Sequence, residues 1–512
     1  MQGRLMRAEV IVVGGGAVGL LLAAELAGYG VDTVLFEPLP AVSERPRATT
    51  VHARAVQSLV RRGRLPWLAP LHTAGEVVRP FRYAGLPGLA LRAPGSEPEP
   101  LLKMAQAPLE RAFEEQASVA GARIRRGYRV VGLHQGADSV FVTAEGHGGT
   151  IRCAAQYVVG ADGARGAVRK LAEFDSDAWP ATVSCLMGLF ALPDPEVLRP
   201  GWHDTGRGWI VATPTGDRDV SLRTLAPCAP TAADRERPPT PEEVRREVAR
   251  IVGREIPLEE PRWLSRFSDF ARLVRSYRLG RVLLAGDAAH VHFPIGGQGL
   301  TTGLLDAVNL GWKLAHVVRG AAPARLLDSY DAERRPAARR VITDTRVQLE
   351  LMRPDPVWVP VRELLAERLA DPRISAALSA TISAQGTVLP PSSARPSGWE
   401  GRFLENRFIG TPDGRIDIIS LLRPGRPLLL LSEPEAERLL PEAAPWADLL
   451  RVVRTTGESD VPGEALLVRP DGYIAWAPGG DSLAESLTAY FGSATTRGSQ
   501  ESDMASTGKP SG

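Results

Sequence analysis

Short apolar runs and longer helical patterns alternate along the 512-residue chain, and their order suggests a fold before any motif is consulted. Glu9 to Val13 is a β-branched run that ends in glycines; Ala17 to Ala27 reads as a helix, and Thr33 to Phe36 as a second strand. Strand, helix and strand in that order predict a β-α-β unit. Leu109 to Val119 predicts a further helix. Gln156 to Val159 and Arg281 to Ala285 are apolar runs bounded by Gly and Asp, the signature of buried strands, and Leu300 to Val318 predicts a long apolar helix.

Two segments of different character interrupt this pattern. Val77 to Leu91 and Thr182 to Leu225 carry short strand-like runs broken by Gly and Pro, among them Gly208-Trp209-Ile210-Val211 and Val220-Ser221-Leu222-Arg223. Both are expected in one antiparallel sheet inserted into the first domain. Helical character continues past Arg340 to about Ala380, and the Pro/Ser-rich stretch Leu389 to Ser397 reads as a linker. Beyond it, Pro427 to Leu431 predicts a buried strand, and Ala465 to Trp476 a hairpin turning at Pro470-Asp471-Gly472. The Ser/Thr/Gly-rich tail from Ser493 is expected to be disordered, and no internal repeat is visible.

Composition narrows the function classes. A hydrophobic fraction of 44% and a charged fraction of 23% are those of an ordinary globular protein of about three domains. Lys+Arg 61 against Asp+Glu 59 leaves a net charge of only +2, and the arginines scatter, so a nucleic-acid partner is not expected. Cys153, Cys185 and Cys228 form no C-x-x-C pair, which leaves disulfide, zinc and thiol-redox chemistry unsupported and points to a reducing cytoplasm. Arg4, Arg7 and the apolar run after them loosely mimic a signal peptide. Three glycines interrupt that run, and it falls short of the ~20 residues a bilayer span needs. No later segment reads as transmembrane, and no membrane partner is expected.

Those glycines carry chemistry. Gly14-Gly15-Gly16-Ala17-Val18-Gly19 fits G-x-G-x-x-G between a predicted strand and a predicted helix. The first glycine permits the tight turn, the second lets backbone approach a pyrophosphate, and the third lets helix and strand pack closely. N–H groups at the helix start, around Ala17 and Val18, then face a diphosphate. Glu37, at the end of the second strand, can accept hydrogen bonds from ribose hydroxyls. The fingerprint alone leaves NAD and FAD open.

Two further motifs decide between them. Val158 to Arg165 ends a strand with Asp162-Gly163 and a basic residue. Arg281 to His290 ends another with Gly286-Asp287 and continues through Pro294-Ile295-Gly296-Gly297-Gln298-Gly299-Leu300 into the long helix. With these motifs in order, residues 8 to 345 resemble the FAD-dependent aromatic hydroxylases, the monooxygenase family that includes para-hydroxybenzoate hydroxylase and the polyketide hydroxylases.

The resemblance implies that Asp287 binds the ribityl chain of FAD. It implies that Gly296, Gly297, Gln298, Gly299 and Leu300 start a helix whose positive end favours anionic reduced flavin. Pro294 matches the family's proline over the flavin, Asp162 and Arg165 the motif linked to FAD and the pyridine nucleotide, Arg47 a diphosphate contact, and Gln106 an FAD-contacting glutamine. The sequence departs from the pattern at Gly166, Phe293, Ile295 and Thr301. Phe293 and Ile295 are expected to reshape the substrate cavity, with Trp209 as an aromatic lining residue. Trp202 and Trp263 read first as core. His290 and His292 do not make metal geometry, and no metal is expected.

The expected fold is therefore α/β. A Rossmann-like FAD-binding domain (1–75, 100–180 and 271–345) carries an inserted antiparallel substrate sheet (76–99 and 181–270). A helical connector and linker (346–397) lead to a thioredoxin-like domain (398–492) without redox cysteines, expected to be structural or oligomer-forming, and to the tail (493–512). The resemblance implies a monooxygenase that uses NAD(P)H and O2 to hydroxylate an aromatic, polyketide-type substrate through a flavin C4a-hydroperoxide. Chemistry of that kind belongs to the cofactor, so no catalytic constellation is expected of the chain. Baeyer–Villiger oxygenation of a ketone, a flavin reductase or dehydrogenase, and a flavoprotein that only holds a ligand are the alternatives.

Overall fold

A computed structural model describes residues 5–70, 73, 75–225, 237–456 and 464–493. At its centre a six-stranded sheet runs in the order Arg278–Leu279, Val282–Leu284, Tyr157–Gly160, Val10–Val13, Thr33–Glu37, Arg123–Arg126. All pairs are parallel except the first, and Val10 lies opposite both Thr33 and Tyr157. Val10–Val13 and Tyr157–Gly160 are buried throughout, which is why they read as unbroken apolar runs rather than alternating ones. Helix Ala17–Gly28 packs between this sheet and helix Gln298–Val318. The expected helix at Leu109 begins earlier, at Gln106, because Pro108 falls in the first turn, where its missing N–H costs nothing.

The two interrupted segments do not share a sheet. Residues Gly201–Asp204, Trp209–Pro214, Asp219–Leu225, Ser184–Ala191 and Glu259–Ser268 form a five-stranded antiparallel sheet in that order. Glu76–Tyr83 and Leu86–Pro94 pair only with each other. Side chains of helix Pro372–Ile382 explain the separation: Ser375 Oγ accepts from Ala90 N at 3.4 Å and Ser379 Oγ from Arg92 N at 3.0 Å. An edge whose donors are taken by a helix cannot add a strand.

The C-terminal unit has the thioredoxin-like order Arg451–Thr455, Leu428–Ser432, Ala465–Val468, Ile474–Trp476, parallel at the first pair and antiparallel after it. The turn expected at Pro470-Asp471-Gly472 joins its last two strands, and Gly472 adopts φ +91° there. This unit is pinned to the first domain by buried charge. Arg469 donates to Glu333 Oε1 and Oε2, both at 2.8 Å, and to Asp471; Lys313 Nζ lies 2.8 Å from Glu333. Lys313, Glu333, Arg469 and Asp471 are all nearly inaccessible. A second buried pair, Arg61 with Glu97, reaches across to Leu404 O and Asn406 N.

Cys153 and Cys185 are buried, whereas Cys228 and the tail beyond residue 493 lie outside the described residues. Among the described residues, no helix is long and apolar enough to cross a membrane.

Candidate functional site

The fingerprint turn is held by backbone contacts that only glycine allows. Gly14 sits at φ +110°, and a Cβ there would lie 2.4 Å from Ala161 O. A Cβ on Gly19 would lie 1.9 Å from Gly14 O, so this glycine lets helix and strand close on each other. Gly16 differs. Its nearest neighbour to a built Cβ is Glu110 Oε1 at 3.8 Å, so the protein leaves open space in front of it. Gly16 also caps helix Ala17–Gly28 without a side-chain hydrogen bond and with no acidic residue in the first turn. The Glu110 carboxylate draws on the Ala17 N–H from one side, and the Val18 donor and the positive end of the helix dipole face that space. Glu37 accepts from Gly15 N at 2.6 Å and from Leu39 N at 2.8 Å, which fixes the carboxylate and leaves lone pairs for ribose hydroxyls.

One cavity of about 2290 Å³ runs from this turn to the five-stranded sheet. Its wall includes Gly14, Gly16, Ala17, Val18, Glu37, Arg47, Gln106, Asp162, Arg165, Asp287, Pro294, Gly296, Gly297, Gly299 and Leu300, together with Trp209, Phe293 and Ile295. Gly19 stands behind the turn. Gln298 points its side chain away, donating to Asp344 Oδ2 at 3.0 Å, so only its backbone is left for a ligand.

Asp162 caps the short helix after its strand, accepting from Val168 N at 3.0 Å through Oδ2, while buried Oδ1 has no partner. Burial raises its pKa against the pull of the Val168 N–H. A Cβ at Gly166 would stand 2.1 Å from Asp162 Oδ1, so a larger residue here would displace the Asp162 carboxylate. Arg165 is exposed at the rim and Asp287 on the turn Gly286–Ala288, neither with an ion pair among the described residues.

The loop before helix Gln298–Val318 is left-handed at Gly296 and Gly297, with φ of +72° and +66°. Helix Gln298–Val318 starts with neither a capping side chain nor an acidic residue in its first turn. Neighbours hold the loop: His52 Nε2 lies 2.7 Å from Gly296 O, and Thr301 Oγ1 accepts from His52 N at 2.9 Å. A carbonyl can only accept, so Nε2 carries the proton. Burial lowers the His52 pKa to about 4 despite that bond, which keeps the ring neutral at ordinary pH. Thr301, a departure from the family pattern, thus has a structural partner.

Sequence reasoning missed two residues here. Glu110 accepts from Gln106 Nε2 at 2.6 Å and lies 3.6 Å from Arg47, with burial raising its pKa. The spacing of four from Gln106 along a helix was its available signal. His52 carried no signal, because its partner Gly296 is 244 residues away. His290 pairs with Asp306 at 2.8 Å, which in turn holds Arg334, so it is a structural histidine. Phe293 and Ile295 pack between the glycine loop and the sheet, with Phe293 5.8 Å from Phe267. Trp209 donates to Met352 O at 2.7 Å and meets Trp202 edge-on.

These features fit a dinucleotide. An uncapped helix start faces unfilled space, a fixed carboxylate stands at ribose distance along the chain, and a buried acceptor at Asp162 lacks a donor. Residues 7–345 match the FAD binding domain family, and residues 397–494 match the aromatic-ring hydroxylase C-terminal family. The chain is 37% identical over 513 residues to the 12-dehydrotetracycline 5-monooxygenase/anhydrotetracycline 6-monooxygenase of Streptomyces rimosus, covering 95% of this chain and 99% of that one. It is 38% identical to the rifampicin monooxygenase of Streptomyces venezuelae, again over 95% and 99%. The crystal structure of CabE, an aromatic hydroxylase from angucycline biosynthesis, superposes with a TM-score of 0.86 at 34% identity, covering 95% and 99% of the two chains.

The chain belongs to the FAD-dependent aromatic-ring hydroxylases. It is a flavoprotein monooxygenase.

Proposed function

We propose that the protein hydroxylates a polycyclic aromatic substrate, taking electrons from NAD(P)H and oxygen from O2. The continuous cavity carries this reading: at about 2290 Å³ it exceeds the ~300–1,000 Å³ of an ordinary ligand pocket, leaving room for a fused-ring molecule beside FAD. Its far wall is the aromatic face of the five-stranded sheet, with Trp202, Trp209, Trp263 and Phe267.

Bound FAD supplies the redox chemistry by which one oxygen atom enters the ring and the other leaves as water, while NAD(P)H and a proton are consumed. The chain's residues do the rest. Gly16, Ala17 and Val18 take the diphosphate with Arg47 and Gln106, Glu37 takes the ribose, and Asp162 and Asp287 receive donors along the cofactor. Gly296 to Leu300, at the uncapped start of helix Gln298–Val318, would hold the flavin with Pro294 beside it, and the positive end of that helix would favour the anionic reduced ring. Phe293 and Ile295 close the space between that loop and the sheet, which excludes water from the reacting face. Arg165 stands at the rim for the transient nicotinamide nucleotide.

The test is turnover of anhydrotetracycline with NADPH under isotope-labelled dioxygen. One labelled atom in a new ring hydroxyl supports the reading. A labelled ester oxygen would make the enzyme a Baeyer–Villiger catalyst, and product formed without dioxygen would end the oxygenase reading.

A further inference from the structure

Among the described residues, Arg223 and Lys103 on the wall of the substrate half of the cavity have no carboxylate partner. Asp219–Leu225 is the middle strand of the five-stranded sheet, and its odd positions face the cavity: Ser221, Arg223 and Leu225 line it, while Val220 and Leu222 join the core behind. Arg223 lies opposite Met187 on one neighbour and Val211 on the other, so a guanidinium rises from an apolar surface. Among the described residues its side chain has no ion pair or hydrogen bond. Its pKa is lowered by burial, with no opposing negative charge.

Lys103 approaches from the other wall. It ends strand Leu101–Lys103, whose partner Thr50 lies directly opposite, and its ammonium donates to Thr50 Oγ1 at 2.8 Å. Thr50 touches the glycine loop: a Cβ built on Gly297 would lie 3.0 Å from Thr50 Cβ. Lys103 therefore stands beside the loop assigned to the flavin. Both residues line the one cavity, and burial, with the charge of Arg223 second, lowers the Lys103 pKa. Arg82, a third cation on the wall without a carboxylate, turns its guanidinium to its own hairpin, donating to Gly85 O at 2.8 Å.

Two like charges facing one apolar space cost free energy unless an anion joins them. We propose that Arg223 and Lys103 form an anion-recognition subsite that selects fused-ring substrates bearing an ionised oxygen (a phenolate, enolate or carboxylate) and directs that end toward the glycine loop. This rests on the polycyclic-aromatic reading above. Arg223 supplies a planar fork of donors and Lys103 a point charge, which suits a flat oxyanion gripped from two sides.

The test is calorimetric titration of the FAD-loaded chain, without NAD(P)H, using 2-hydroxyanthraquinone, anthraquinone-2-carboxylate and neutral 2-methoxyanthraquinone. At least one anion-forming probe is expected to bind ten-fold or more tighter than the methoxy compound. Which of the two does so separates phenolate from carboxylate preference. Bound 2-hydroxyanthraquinone should show its ionised absorption band at a pH where the free compound is neutral. Arg223→Met should lose that ten-fold preference while leaving methoxy binding and the KM for NADPH unchanged, and Lys103→Met should lose part of it. If Arg223→Met does not retain FAD, Arg223→Lys and Lys103→Met decide, each with a reduced preference.

Equal affinity of all three probes for the unaltered enzyme would overturn the subsite and leave the polycyclic reading standing. So would a variant effect confined to NADPH. Failure of every probe to bind would instead remove the polycyclic reading, and the subsite with it.

Discussion

Beneath the C-terminal unit, Glu333 is gripped by Arg469 through two bonds of 2.8 Å and by Lys313 at 2.8 Å, all nearly inaccessible to water. In the cavity, Arg223, Lys103, Arg165 and Asp287 line the wall with no ion pair among the described residues. The two regions use the same side-chain types and obey the same electrostatics. Buried charge that serves folding must be matched within the protein, since an unmatched partner is strongly destabilising. Charge left unmatched in a cavity costs stability and marks where a ligand completes the set. Arg47 with Glu110 is a matched pair at the cofactor end of the cavity; at the substrate end, pairing rather than burial separates scaffold from site.

The largest expected effect falls where the cavity meets the scaffold's backbone. Gly19→Val would set its Cβ 1.9 Å from Gly14 O, where no side-chain rotation gives relief. Purified variant is expected to carry no FAD, read as loss of the flavin absorbance in soluble protein. A variant that keeps full flavin content would show that the turn is not the cofactor cradle.

Next in size is the matched seam. Glu333→Gln leaves Arg469 and Lys313 facing each other in the interior and is expected to cost about 3–5 kcal/mol, read as a lower urea midpoint. Adding Arg469→Met should restore part of the loss, because the two residues act as one unit. Acid provides an independent check. Burial pushes the Glu333 pKa up, but the charges of Arg469 and Lys313 outweigh it and hold the carboxyl at about 2, against an ordinary 4.5. A carboxyl depressed on folding stabilises above its unfolded value and loses that contribution as pH falls through its folded one. Stability should therefore fall between about pH 4.5 and pH 2, and less steeply in Glu333→Gln. A slope identical in both proteins would show that the seam charge is not the acid-sensitive group.

How much of this was legible in the sequence follows the same division. The fingerprint turn was readable because its glycines fall within six residues, although only the approach of Gly19 to Gly14 is a local contact and Gly14 itself is held against distant Ala161. Val220 to Arg223 read as a strand-like run, but nothing local to it showed that Arg223 meets a cavity. The seam was hidden. Asp471 read correctly as a hairpin turn, yet the partner of Arg469 is Glu333, 136 residues away. The separate hairpin sheet was misplaced for a related reason: alternation identifies a strand, but Ser375 and Ser379 of a distant helix decide its neighbour.

A smaller effect is expected from Trp209→Phe, which keeps an aromatic ring in the cavity wall but removes the N–H that satisfies Met352 O at 2.7 Å. A buried carbonyl left unpaired costs about 1–3 kcal/mol. The variant should retain FAD and show a modestly lower thermal midpoint. Loss of FAD would mean that this wall supports the cofactor half as well, and that the two halves of the cavity are not separable.

The smallest effect, and the most informative for the comparison, is expected from Arg223→Met measured for stability alone. If Arg223 were a scaffold charge like Arg469, removing it would lower the thermal midpoint. As an unmatched charge on an apolar face, it contributes a desolvation cost that a methionine of similar length does not carry. The midpoint of the FAD-loaded variant should be unchanged or higher by about 1 kcal/mol equivalent, the sign seen when a functional group is replaced by one that packs. A fall comparable to that of Glu333→Gln would place Arg223 with the matched charges.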